Sequence, residues 1–311
     1  MDQRTSEASR ISLIAAFAAV YILWGSTYFA IRVGIETIPP FPLAGSRHLA
    51  AGIPMLAWML LRGAPAPTWR EWRSAAIVGT LLLAGGNGLV TIAERSVPSS
   101  LAAVLIATVP LWMTGLDAAL FRGPRLTPAT IVGLAAGLSG VGLLVWRSGD
   151  GADALEPWGA AALLIAALSW SFGSLWSRRL PLPASPFVAV SAEMIAGGAV
   201  LLAIAGLTGQ WGEFIPAQVS TRSWTALVYL TIAGSILGFT AYIWLLRHVT
   251  PVAASTYAFV NPVVAVFLGA AFAGERLTVR SAIASALVIG AVVVLHGSRW
   301  LASRRLASRG G

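Results

Sequence analysis

Two tryptophans, Trp24 and Trp170, sit deep inside long apolar runs, each beside hydroxyl side chains. The surrounding stretches read LWGSTYFAIR over Leu23–Arg32 and SWSFGSLWSR over Ser169–Arg178. At 1.5 Å per residue, a position about 12 or 13 residues into a run lies near or just past a bilayer midplane. That is away from the interfacial belts where tryptophan is common. Ring faces and hydroxyls at this depth suit the wall of a solute path better than a lipid-facing surface. Residues of the same kind recur in other runs: Tyr28, Asn87, Thr91, Trp112, Ser174, Tyr242, Tyr257 and Asn261. Together they offer stacking and hydrogen bonding, and no covalent chemistry.

The groups that would carry catalysis are missing from the pattern. With no cysteine, the sequence excludes disulfides, thiolate nucleophiles and most zinc sites. Its three histidines, His48, His248 and His296, form no HExxH, and no GxSxG motif, phosphate-binding loop or paired carboxylates occur. The sequence therefore predicts no enzyme, no cofactor and no metal. The embedded acids are Asp117 and Glu193, near span ends, so either is a coupling candidate. A plainer reading pairs Glu193 with Arg178 or Arg179. Arg32 and Arg47 are read as snorkelling to the interface. No acid stands at the centre of any run, which favours a neutral, zwitterionic or partly aromatic solute over a cation.

The composition fixes what must hold these residues. Hydrophobic residues make up 57% of the 311 and charged residues 11%, against about 25% charged in soluble domains. The pattern is that of an integral membrane protein. Ten runs can each span about 30 Å of hydrocarbon: 11–33, 42–61, 74–93, 99–119, 129–146, 158–177, 187–207, 223–246, 252–272 and 279–297. The first is too long, and wrongly flanked, for a cleaved signal. The net charge is +9 and every basic residue is arginine. The arginines are scattered rather than striped, which argues against nucleic acid. With both termini in the cytoplasm, 14 of the 21 fall in inner loops and tails, as the positive-inside rule requires. The outer links carry Glu36, Glu94, Asp150, Asp153, Glu156, Glu213 and Glu275.

The chain also repeats itself. At an offset of 146, Trp24 pairs with Trp170, Arg32 with Arg178, Arg47 with Glu193 and Gly52 with Gly198. The offset becomes 152 for Arg95 with Arg247 and Pro110 with Pro262, then 151 for GPRLT (Gly123–Thr127) with GERLT (Gly274–Thr278). Five spans per unit is an odd number, so the copies must cross the membrane in opposite senses. Such inverted repeats mark secondary transporters, whose sites lie at the interface between repeats. The third span carries AGGNG, whose Gly85 and Gly86 allow close packing or local unwinding. Pro110 and Pro262 remove an amide donor and predict kinks.

These motifs resemble the EamA-type permeases of the drug/metabolite transporter superfamily. The likeness rests on LWGSTYFAIR and its counterpart, Arg47, the segments ending at Pro110 and Asn261-Pro262, and GERLT, and it covers about residues 11 to 298. It implies an all-α integral membrane fold: ten transmembrane helices as two inverted-topology five-helix repeats around a central cavity. The repeats would span 11–146 and 158–297, with cytoplasmic tails at 1–10 and 298–311. The cavity would be lined by the first, third, fourth, sixth, eighth and ninth spans. The expected function is a secondary transporter of a bacterial-type inner (plasma) membrane, exporting amino acids or similar small metabolites by alternating access. A multidrug or sugar-nucleotide carrier, or a non-transport scaffold or scramblase, is the alternative. Its partners would be a small-molecule substrate and the bilayer, with the chain a monomer or weak dimer.

Overall fold

A computed structural model describes residues 10–121, 128–145, 156–249, 256–275, 279, 282–291 and 293–294. Among them the chain is helical, with no strand. We label the helices α1 (Arg10–Gly34), α2 (Pro40–Leu61), α3 (Trp69–Ala93), α4 (Ser99–Leu120), α5 (Pro128–Val145), α6 (Pro157–Ser177) and α7 (Pro186–Leu207). Then follow α8 (Thr221–Leu245), α9 (Tyr257–Phe272) and α10 (Ala282–Ala291). Helices α1, α3, α4, α6, α7 and α8 are each long and apolar enough to cross a membrane.

Local chemistry sets the helix starts. Pro40, Pro157 and Pro186 occupy the first turns of α2, α6 and α7, where an amide donor is not needed. Helix α3 begins at Trp69, five residues before the apolar run, because Thr68 and Glu71 form a capping box. Two helices change pitch midway. Thr80–Gly88 in α3 and Leu230–Leu237 in α8 are π-helical. The first coincides with AGGNG; the second falls on AGS (Ala233–Ser235), which the sequence reading passed over. Helix α4 breaks between Ile106 and Val109, just before Pro110, as the proline predicts.

The closest contacts join the two halves of the chain. Helix α1 packs on α8 and α9, while α6 packs on α3 and α4. Helix α2 lies along α7. Gly45 and Gly198 make that crossing possible, since a Cβ on either would stand 3.0 Å from the other's carbonyl oxygen. In a bilayer, where lipid is as apolar as leucine, such backbone proximity and its dispersion contacts drive helix association. A large buried group including Ile31, Leu43, Leu101, Leu105 and Leu163 ties α1, α2, α4 and α6 together.

Candidate functional site

Trp24 lies at the meeting of α1, α8 and α9. Its ring centroid is 4.9 Å from that of Tyr257, 5.1 Å from Tyr242 and 5.2 Å from Phe239. Tyr242 and Tyr257 meet edge-on at 5.7 Å. The indole N–H donates to the carbonyl of Gly234 at 3.1 Å, inside the π-helical turn of α8. That turn misaligns the backbone ladder and frees carbonyls for such bonds. Gly238 admits the indole, because a Cβ there would stand 2.5 Å from Trp24 Nε1. One turn beyond Tyr257 is Asn261, 7% exposed, whose Oδ1 is buried without a hydrogen-bond partner. Gly25 brings α1 close at this level: a Cβ on it would lie 3.3 Å from Asn261 Cα. Pro262, next in α9, lies inside the helix and leaves the Ala258 carbonyl without its usual donor. Three ring faces and a free acceptor can hold an ammonium or an aromatic group.

Trp170 occupies a second place. It packs against the buried group Ala51, Leu83 and Met194, as does Phe239. A Cβ on Gly86 would come within 2.8 Å of its ring, and Ser169 Oγ donates to the Leu81 carbonyl at 2.7 Å. Gly85 similarly leaves room for the Ser169 hydroxyl. Each tryptophan thus stacks on the π-helical segment of a helix from the other half of the chain. Of the remaining predicted residues, Trp112 donates to Thr108 Oγ1 on its own helix at 3.2 Å. Ser174 is half-buried, and its carbonyl accepts from Ser177. Tyr28 packs on the main buried group. Asp117 is half-buried near the C-terminal end of α4, and the backbone of Glu193 lies against Gly79 at the α3–α7 crossing.

A polar knot that the sequence reading missed lies at one end of the bundle, called here the Glu94 end. Arg47 does not snorkel. It is 3% exposed and donates from Nη2 to Asn87 Oδ1 at 2.8 Å, while Thr91 donates to the Asn87 carbonyl at 2.7 Å. Arg32 turns inward and donates to the backbone carbonyls of Glu94 and Arg95. Glu94, assigned by sequence to an outer link, is fully buried, and neither carboxylate oxygen has a hydrogen-bond partner. Glu275 of the GERLT motif accepts four hydrogen bonds, from the amides and hydroxyls of Ser99 and Ser100, at 2.5–3.0 Å. It caps the N-terminus of α4, where a carboxylate satisfies orphan amides and meets the helix dipole. A cavity of about 430 Å³ opens at this end, lined by Phe29, Arg32, Glu36, Arg95, Arg222 and Phe272 among others. The sequence signal was present in GERLT, but its partners, Ser99 and Ser100, are far away in the chain.

The profile of the EamA-like transporter family matches residues 10–146 and residues 157–296. The inner membrane transporter YedA of Escherichia coli (strain K12), itself named as uncharacterized, is 44% identical over 292 residues. That alignment covers 94% of this chain and 92% of YedA. The "Probable terminal-alkyne amino-acid exporter" of Streptantibioticus cattleyicolor is 26% identical, across 95% of this chain and 97% of that protein. One solved crystal structure matches with a TM-score of 0.61 at 25% identity, covering 96% of this chain and 99% of the other.

Proposed function

We propose a substrate class and mechanism from a firm premise: the chain belongs to the EamA-like transporter family. It is a multi-pass inner membrane protein with a transport role. On our reading it is a secondary transporter that exports amino acids or similar small metabolites by alternating access. Two inverted five-helix units rock about a site between them, with both termini in the cytoplasm. The exchanged packing, α1 on α8 and α9 against α6 on α3 and α4, supports that arrangement.

The observation that carries the substrate class is the group of Trp24, Tyr242 and Tyr257 beside the unpartnered Asn261 Oδ1. An ammonium can meet the ring faces while its N–H groups reach the amide oxygen. An apolar or aromatic side chain fits the same rings by burial. The name of the exporter from Streptantibioticus cattleyicolor agrees with this class.

The test is counterflow of labelled amino acids in proteoliposomes holding the full chain. Saturable exchange is expected, with Trp24→Ala and Asn261→Ala each lowering kcat/KM by about tenfold, the loss of one good contact. No saturable exchange across a broad amino-acid panel would overturn the reading, and saturable flux of bulky cationic drugs alone would replace it with a multidrug carrier.

A further inference from the structure

Glu94 has no role in the aromatic site, yet no other carboxylate among the described residues is buried as deeply. It directly follows Ala93, the last residue of the apolar span of α3. Its environment comprises Arg32 and Tyr28 from α1, Arg47 from α2 with His48 beside it in sequence, and Glu275 after α9. Arg95 is its neighbour along the chain. None of these donates to its carboxylate, since Arg32 is spent on backbone carbonyls and Arg47 on Asn87.

We propose that Glu94 is the transporter's proton site, and that Arg47 passes its protonation state on to Asn87. The proposal rests on the transport reading above and adds the ion that drives it. Metal cations are disfavoured there, because two guanidinium groups approach the same carboxyl group. A proton is the one cation that removes the charge without adding another.

The chemistry follows from burial. An ionised carboxylate with no donor loses its hydration and recovers little of it from charges that are not hydrogen-bonded to it. Burial accordingly pushes the Glu94 carboxyl group well above the usual carboxylate range, and Glu275 adds to this against Arg32 and Arg47. We take the packing seen here, which buries Glu94 apart from the nearby cavity, as the closed state; it holds a neutral acid, and Arg47 stays on Asn87. When the proton leaves, the anion draws Arg47 away, because a charge-assisted pair outcompetes an amide oxygen. Asn87 is then free to meet a solute. Proton and substrate thus exclude one another, as exchange of one for the other requires.

The sign is set by linkage. The closed state binds the proton more tightly, so closure is favoured at low pH and lost as pH rises through the raised value. The change cannot exceed about tenfold in the open-to-closed ratio per pH unit for one proton.

The chain has no cysteine, so spin labels can be placed at Ser96→Cys and Ala273→Cys on the full chain in liposomes without substrate. Across this end, the distance should lengthen with rising pH in the wild-type background and stay short at every pH in Glu94→Gln. That variant is isosteric with the neutral acid. In exchange assays, Glu94→Gln should lose both pH dependence and uphill accumulation driven by a pH gradient, whereas Glu193→Gln and Asp117→Asn should keep both. A distance indifferent to pH, a wild-type pH profile in Glu94→Gln, or its loss in Glu193→Gln or Asp117→Asn instead would overturn the proposal. Exchange without pH dependence leaves the export reading standing while this one fails. A pH-dependent distance with no amino-acid exchange does the reverse.

Discussion

The two ends of the bundle are held in different ways. At the Glu94 end, Glu275 caps α4 with four hydrogen bonds and Arg32 holds the end of α3. Gln210 also accepts from the Phe41 amide at 2.9 Å, Thr37 meets Ser220, and Arg95–Glu213 and Arg222–Glu36 pair at 3.3 and 3.4 Å. At the opposite end, Arg179 donates to the Phe121 carbonyl at 2.5 Å and lies over its ring at 4.7 Å. His248 there stacks on Trp244, four residues earlier in the chain. Among the described residues, both ion pairs lie at the Glu94 end. The sequence offsets explain the difference. The position matching Glu275 is Pro124, that matching Glu94 is Leu246, and that matching Arg47 is Glu193. Among the described residues, the polar knot lies at the Glu94 end.

Four sets of variants test this asymmetry, from the largest effect to the smallest. Glu275→Ala should be the most damaging. It strands the buried Ser99 and Ser100 donors and should cost about 3 kcal/mol, since bonds to a charged acceptor are the strong ones. Thermal unfolding of the full chain would show the loss, and a cysteine at Ser96 should label faster with an impermeant thiol reagent. Unchanged labelling would mean that the cap does not hold this end shut.

Arg32→Ala should follow, at about 2 kcal/mol, for the loss of charged donors to the carbonyls of Glu94 and Arg95. Its repeat counterpart, Arg178, lies at the other end, where the neighbouring Arg179 holds a backbone carbonyl; Arg179→Ala should cost under about 1 kcal/mol, because its contacts are exposed. Equal losses from the two would erase the contrast between the ends.

Gly238→Ala and Gly86→Ala probe the packing beneath the two tryptophans, since each Cβ would press on a tryptophan ring system. Each should cost roughly 1–3 kcal/mol by overpacking, and Trp24→Ala should relieve Gly238→Ala alone in a double-mutant cycle. Smallest of all should be Arg95→Ala, within about 0.5 kcal/mol, because an exposed ion pair contributes little. Raising the salt concentration should remove even that.

Much of the fold was legible in the sequence because lipid enforces a simple rule: long apolar runs become helices. The runs read at 11–33, 99–119, 158–177 and 187–207 agree with α1, α4, α6 and α7 to within a residue at each end. Helix α3 was read short at its start, since the Thr68–Glu71 cap lies outside the apolar pattern. In the site, mid-membrane polarity brought out Trp24, Tyr242, Tyr257 and Asn261, which the fold gathers. It also brought out Trp112 and Ser174, whose described hydrogen bonds stay within their own helices. Glu94 was hidden because a glutamate and an arginine after an apolar run look like any solvated link.

Composition, periodicity and the internal offset by themselves determined that this chain is a helical membrane protein, and they placed its unusual residues. Those properties are local, or depend only on the contrast between apolar and polar side chains. Tertiary structure decided which of those residues meet, that two helices adopt π turns beneath the tryptophans, and that Arg32, Arg47, Glu94 and Glu275 converge at one end. The last outcome depends on α1, α2, α3 and the turn after α9 arriving at one place. The cost of burying the Glu94 charge is set by neighbours distant in the chain, Arg47 and Arg32 from the preceding helices and Glu275 from the far half.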